Sequence, residues 1–388
     1  MAVDRAQESG SYGSSRAVLV GSLIGVVLAA LGVRILIEQH GGQNLLASIY
    51  DLIGNSAGAE ALRNGQGDQF FAKLLLAAIA LLVGVGGIWL LFTGVSALVE
   101  RLPPRYRDSI LPWVFVTPAL ALLTIYLVYP AVVTVIGSFQ DKNGAFTLDN
   151  WASLATPPFL EILRNNLLWL VVATSGSVGV GLLAAALFDR IRRESLAKVF
   201  VFLPLAISLI GATVIWKFVY AWAPPSQPQY GLLNAIWTGF GGQPIPWVTQ
   251  FPINLPAEMI ILIWLQTGFA MVVFSAAIKG VSAEVQEAAR LDGASDRQIF
   301  FKVIVPLIRG SIVTVTTTIA IATLKIFDIV MSISGGRNHD DVVAVRMFAE
   351  MFQFFNDGRA AALATVLFIA VLPVMILNLR NFRRQAAM

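Results

Sequence analysis

Three observations predict an all-α, polytopic membrane protein. Hydrophobic residues make up 57% of the 388, charged residues only 13%, and apolar runs of roughly twenty residues, the length a helix needs to cross hydrocarbon, recur along the chain. Inside a bilayer the backbone must satisfy its own hydrogen bonds, so runs of this length read as helices. They place about eight spans, near 17–37, 70–99, 110–137, 163–188, 199–220, 257–278, 311–333 and 360–379. An even number puts both termini on one side.

The first run resembles a signal peptide in position. It lacks a small-residue cleavage site after its apolar stretch, and Arg34 interrupts its outer end, so it reads as an uncleaved anchor. Residues 38–69 are polar and glycine-rich, with an amphipathic patch at Leu45, Leu46, Ile49 and Leu52 expected to lie on the outer membrane face. The first two spans form a two-helix extension over 1–109 with a short outer loop, ahead of a six-helix core over 110–388. Gly21 with Gly25, and Ser175 with Gly179, have the four-residue spacing of small residues that lets helices approach closely. The stretch from Ala221 to Pro256 is rich in proline and aromatics. Its Trp222 and Trp247 read either as the rim of a mouth or as an interfacial aromatic belt.

Lysine and arginine fix the orientation. With the N-terminus inside, seventeen fall in inner segments, among them Arg101, Arg105 and Arg107, Arg190 to Arg193, and Arg380 to Arg384. The opposite loops hold only Arg63, Lys142, Arg337 and Arg346. The positive-inside rule then makes both termini, and the loop 279–310, cytoplasmic.

That loop is the polar insert of greatest interest. Ser282 stands where a helix cap belongs, Glu284 follows in the first turn, and Gly293 sits where a left-handed helix end favours glycine. Ser295 with Gln298 has capping-box spacing, and Pro306 marks the start of the next span. Two short helices meeting at an angle are expected. Ala288 and Ala289 offer a low surface to a docking partner, Glu287 and Arg290 orient it, and Phe300 and Phe301 anchor the second helix.

The run Glu287-Ala288-Ala289-Arg290-Leu291-Asp292-Gly293-Ala294, followed by Pro306, resembles the cytoplasmic signature of the membrane subunits of binding-protein-dependent ABC importers. Val303 and Val305 stand where that family usually has isoleucine and leucine. Leu203-Pro204, Trp216-Lys217, Gly231-Leu232-Leu233-Asn234, Phe327-Asp328 and Gly335-Gly336 are similar to the maltose-type permeases. Met347, Glu350-Met351-Phe352 and Gly358-Arg359 look closest to α-glucoside permeases. The resemblance implies an ABC importer type I permease core in the cell inner membrane. It also implies partners: a second, homologous permease, two cytoplasmic ATPase subunits and an extracytoplasmic sugar-binding protein, with ATP and Mg held by the ATPases. Unlike the maltose permease, the chain has no large domain between its third and fourth spans.

Chemistry of other kinds is poorly represented. No Gly-Lys dipeptide is present to close a phosphate loop, and a chain with no cysteine and two histidines, His40 and His339, suggests no metal centre. No metal, cofactor or nucleic acid is expected in this chain. Ionisable and aromatic groups inside spans are candidates for a substrate path. Lys325 and Asp328, three apart on one expected helix, read either as an ion pair or, for Asp328, as an acceptor for sugar hydroxyls. Trp264 and Gln266 fall near mid-span and read either as helix packing or as a stacking face with an amide, and Trp216 stands beside Lys217. Two competing functions remain at this point: an ion-gradient-driven secondary transporter, for which Asp328 is nearly alone as an intramembrane carboxylate, and a membrane enzyme acting on lipid-linked sugars, for which Asp149 and Glu161 are too isolated.

Overall fold

The computed structural model describes residues 41–64, 69–99, 103–189 and 191–386. The run at 17–37, with Arg34, Gly21 and Gly25, lies outside them. Among the described residues the chain is helical, and the one strand-like feature is an isolated bridge between Gln140 and Phe146.

Two compact units are described separately, residues 1–129 and 130–388. The first contains α1 (Gly41–Leu52), α2 (Ser56–Arg63), α3 (Gln69–Val99) and α4 (Pro104–Leu123). The Asn55 side chain accepts from the Gly58 backbone N–H at 3.0 Å and so caps α2. The hairpin closes around buried Ala47, Ala59 and Leu62, with Leu46 and Tyr50 packed on them. Leu46 therefore turns into a small core, while Ile49 and Leu52 of the expected patch stay exposed.

A π segment, Thr124–Val128, closes the first unit and leads into α5 (Tyr129–Gly137). In the second unit, too, π-helical turns interrupt otherwise continuous helices. Then come α6 (Asp149–Ser153) and α7 (Pro157–Leu168), the latter joined by a second π segment, Trp169–Ala173, to α8 (Thr174–Phe188). After α9 (Glu194–Phe202), a 3-10 turn over Leu203–Ala206 precedes α10 (Leu209–Val219), followed by α11 (Leu232–Gly239) and α12 (Asn254–Lys279). The elbow comprises α13 (Ala283–Leu291), α14 (Asp296–Ile299), a π segment Phe300–Ile304 and α15 (Val305–Leu307). The chain ends with α16 (Arg309–Leu324), α17 (Asp328–Ile333), α18 (Val343–Phe352) and α19 (Asp357–Ala386).

Among the described residues four stretches are long and apolar enough to cross a membrane: Phe115–Gly137, Pro157–Phe188, Asn254–Lys279 and Asp357–Arg380. Two bent pairs raise the number to six. The fifth expected span is one of those pairs, broken by 106° between Ala206 and Leu209. Pro204 lies in the 3-10 turn and cannot donate to a continuing ladder, and the Ser208 side chain, accepting from Gly211 N–H, starts a new helix. The seventh expected span also ends early, at Leu324, and restarts at Asp328.

α8 lies along α12 at close range. Ser177, Gly181 and Ala185 are buried, and a Cβ added to Gly181 would stand 2.4 Å from that of Ala270. Ser175 is exposed and Gly179 has nothing nearby, so the small-residue stripe that makes the contact is the one two residues along from the expected pair.

Candidate functional site

The elbow has the expected bend, for the expected reason at its centre. Gly293 adopts φ +81°, which non-glycine residues rarely adopt. Its N–H donates to Arg290 C=O at 3.0 Å, and Ala294 N–H to Ala289 C=O at 3.0 Å. These paired bonds are the Schellman closure of α13. Ser295 and Gln298 form both halves of a capping box on α14. Two local expectations need correction. Ser282 occupies the cap position of α13 without making a side-chain hydrogen bond, and Pro306 sits within α15, the 70° bend falling instead between Leu307 and Arg309.

Burial separates the two faces of the elbow. Ile299, Ile304 and Ile308 are buried, and Ala289, Ala294, Phe300, Val281 and Ile278 pack against them, which fixes the elbow to the foot of α12. Ala289 therefore serves the inner face rather than the docking surface. Glu287, Ala288 and Arg290 are exposed, as are Asp292 and Gly293. Leu291 is 89% exposed, one helical turn from Ala288. Sequence reading passed over Leu291, although its position one turn after Ala288 on a short helix was a usable signal. Arg290 Nε lies 3.9 Å from Asp296 Oδ1 across the bend, while Phe301 is exposed.

The candidate path residues are only partly brought together. Trp216 and Trp264 meet edge to face, centroids 5.7 Å apart, and both pack on the buried cluster of α10, α12 and α17, as does Phe327. Gln266 is half-buried on α12. Lys325 is exposed as the C-terminal cap residue of α16, and Asp328 opens α17, so the expectation that they share a helical face fails. Among the described residues neither is in an ion pair. Backbone termination after Leu324 separates them. Trp247 is half-buried against the cluster of α10, α12 and α17. Its Nε1–H donates to Asn234 Oδ1 at 3.2 Å, and Asn234, fully buried, also ties Ala221 to Ile245. Gly231 leaves no room for a side chain, since a Cβ there would stand 2.0 Å from Ala221 O. The Gly231-to-Asn234 motif is thus the brace of this loop.

Sequence reading missed a group of buried acids. Glu258 on α12 and Asp340 in the loop before α18 are both fully buried, so Asp328 is not nearly alone in the spans. Asn254 donates from Nδ2 to Asn338 O at 2.7 Å and to Asp340 Oδ2 at 3.2 Å. From α7, Asn165 Nδ2 donates to His339 O and Asp341 O at 2.9 and 3.0 Å. The loop Gly335–Val342 is therefore held from two sides. Burial pushes the Asp341 carboxyl up to about 7, against the opposing pull of Arg346. Glu350, 1% exposed, accepts from Arg346 Nη2 and Nε at 2.7 and 3.0 Å. An acid in the first turns of an otherwise apolar span was the overlooked signal at Glu258.

Known proteins agree with this architecture. Residues 177–384 match the family described as binding-protein-dependent transport system inner membrane component. The osmoprotective compounds uptake permease protein GgtC of Synechocystis sp. is 47% identical over 274 residues, 70% of this chain and 98% of that protein. The alpha-glucoside transport system permease protein AglF of Rhizobium meliloti is 46% identical over 286 residues, 73% and 85% of the two chains. A bacterial ABC transporter involved in the import of the acidic polysaccharide alginate shares the fold at TM-score 0.63 and 18% identity, over 72% of this chain and 99% of that one. The competing readings as ion-driven carrier and lipid-sugar enzyme are thereby set aside. The chain belongs to the family of binding-protein-dependent transport system inner membrane components, and is a multi-pass permease subunit rather than an enzyme.

Proposed function

We propose that this permease serves an importer of α-glucosides or related carbohydrates, and that force from cytoplasmic ATPase subunits enters it at the elbow. The substrate class rests on the resemblance to AglF. In this reading both termini and the elbow are cytoplasmic, a second permease completes the pore, and an extracytoplasmic sugar-binding protein delivers the load. Two ATPase chains hold ATP and Mg. The N-terminal extension, residues 1–109, with its two expected spans, precedes the conducting core.

One observation carries the coupling role. Glu287, Ala288 and Leu291 stand exposed on a helix whose other face is packed to the foot of α12. A partner gripping that face cannot move it without moving the bundle, because packed interiors switch between arrangements rather than stretch. ATPase closure then shifts the spans between inward-open and outward-open states. The loaded sugar-binding protein favours the outward state through its higher affinity for it. Trp216 and Trp264, with Gln266, Lys325 and Asp328, remain the candidates for the sugar path. An indole offers an apolar face to a sugar ring, and a carboxylate or amide accepts from its hydroxyls.

Leu291→Arg and Ala288→Trp test the coupling role directly. We expect normal insertion and span packing, but loss of co-purifying ATPase and of labelled α-glucoside uptake. Undiminished attachment and uptake in both variants would refute it. For the path, Asp328→Asn is expected to change substrate preference or uptake, and unchanged values for both would remove Asp328 from it.

A further inference from the structure

Three side chains from three segments close a small polar triangle beside the elbow. Asp189 follows α8, Lys198 lies on α9 and Ser275 on α12. Lys198 Nζ is in contact with Asp189 Oδ1 and donates to Ser275 Oγ at 2.6 Å, while Ser275 Oγ–H donates to the same Asp189 oxygen at 2.7 Å. The Asp189 and Lys198 side chains are only 11% and 18% exposed. A turn further along α12, Lys279 Nζ donates to both Glu194 carboxylate oxygens, at 2.7 and 2.9 Å, adding a more exposed link between the same segments. Among the described residues Asp189 Oδ2 is buried with no hydrogen-bond partner. A buried ion pair adds little net stability, because desolvation offsets the attraction, yet it holds its elements to one geometry.

The place of the triangle gives that geometry a use. Lys279 ends α12, and the elbow begins with α13 at Ala283. α9 is the first half of the span broken by 106°, so its axis is not carried by α10. We propose that Asp189, Lys198 and Ser275 are positioning residues for coupling, clamping the α8–α9 turn to the foot of α12 so that elbow displacement drives α9 together with α12. This rests on the elbow receiving the ATPase stroke.

The test uses the complete importer, with both permeases, ATPases and binding protein, reconstituted in vesicles. The probe is whichever of maltose, trehalose or sucrose the unaltered assembly imports. Lys198→Met and Ser275→Ala are compared with Lys198→Arg, reading ATP hydrolysed per sugar imported alongside ATPase attachment and the amount of folded assembly. Lys198→Met is expected to keep its ATPase yet raise the ATP-to-sugar ratio about fivefold or more. Ser275→Ala, which spares the ion pair, should raise it less, and Lys198→Arg should bring it back toward the unaltered value. An unchanged ratio in Lys198→Met, or uptake and hydrolysis falling together with the folded amount, overturns the clamp. Leu291→Arg and Ala288→Trp are run in parallel: if both keep undiminished ATPase attachment and uptake the elbow reading fails, whereas if they lose the ATPase and the Lys198→Met ratio is unchanged, only the clamp fails.

Discussion

Removing the guanidinium of Arg346 should be among the most damaging single changes near the Gly335–Val342 loop. Its partner Glu350 is 1% exposed and has its carboxylate paired through two N–H groups, at 2.7 and 3.0 Å. Arg346→Met leaves that carboxylate buried and unpaired, which costs about 3–5 kcal/mol where one member of a buried pair is removed. The arginine also lies over two rings, with Cζ 5.2 Å from the Phe159 centroid and 5.0 Å from that of Phe354. Each such contact contributes about 0.5–1 kcal/mol at a partly exposed site, but a methionine stem retains part of the packing, so this effect is the smaller one. The double variant Arg346→Met/Glu350→Leu removes both charges, and an apolar pair in such a place is close to neutral. Denaturant unfolding in detergent micelles, followed by tryptophan fluorescence, measures the difference. The single variant should lose about 3–5 kcal/mol and the double recover most of it. A single variant within about 1 kcal/mol of the unaltered protein, or a double no better than the single, would show that the pair does not hold this region.

Two further outcomes follow from the same packing and charge arguments. Gly181→Leu should separate α8 from α12: even one added carbon would stand 2.4 Å from Ala270 Cβ, where apolar carbons normally rest roughly 3.5–4.0 Å apart. The overpacking cost of about 1–3 kcal/mol exceeds the gain in helix propensity of about 1 kcal/mol over glycine, so folded yield should fall, while Gly179→Leu, in open space, should not lower it. Stability should also depend on pH through Asp341, whose carboxyl burial raises to about 7. An unfolded aspartate titrates near about 3.9, so between the two values the native state holds a proton the unfolded state lacks. Stability contributed by this group is then fully present below the lower value and lost as pH rises through the higher one, and Asp341→Asn should flatten the fall in unfolding midpoint between about pH 4 and pH 7.

Local chemistry was the part of the structure most legible in the sequence. Gly293, Ser295 and Gln298 define the elbow through backbone rules that act within a few residues, so their roles could be read directly. Where a helix breaks inside a span was harder. Pro204 was a usable signal for one break that the single expected span 199–220 passed over, and the stop after Leu324, which separates Lys325 from Asp328, has no proline or glycine. Facing was hardest of all. The four-residue spacing of Ser175 and Gly179 also fits Ser177, Gly181 and Ala185, and only the position of α12 decides between these faces. The buried acids were hidden for a related reason. Asp340, Asp341 and Glu350 lie in or after a polar loop and read as solvated until α7 and α12 close over them.

The central claim, that a separate motor grips the elbow, is open to a direct chemical measurement because the chain contains no cysteine. Leu291→Cys places a single thiol on the 89% exposed position of α13, and Phe355→Cys places one on a 73% exposed turn before α19 as the comparison. Native membranes carrying each variant are treated with a short thiol-to-amine crosslinker, and the adducts are identified by mass spectrometry. Leu291→Cys should yield an adduct with an ATPase chain and Phe355→Cys should not. An ATPase adduct from Phe355→Cys, with none from Leu291→Cys, would contradict the account.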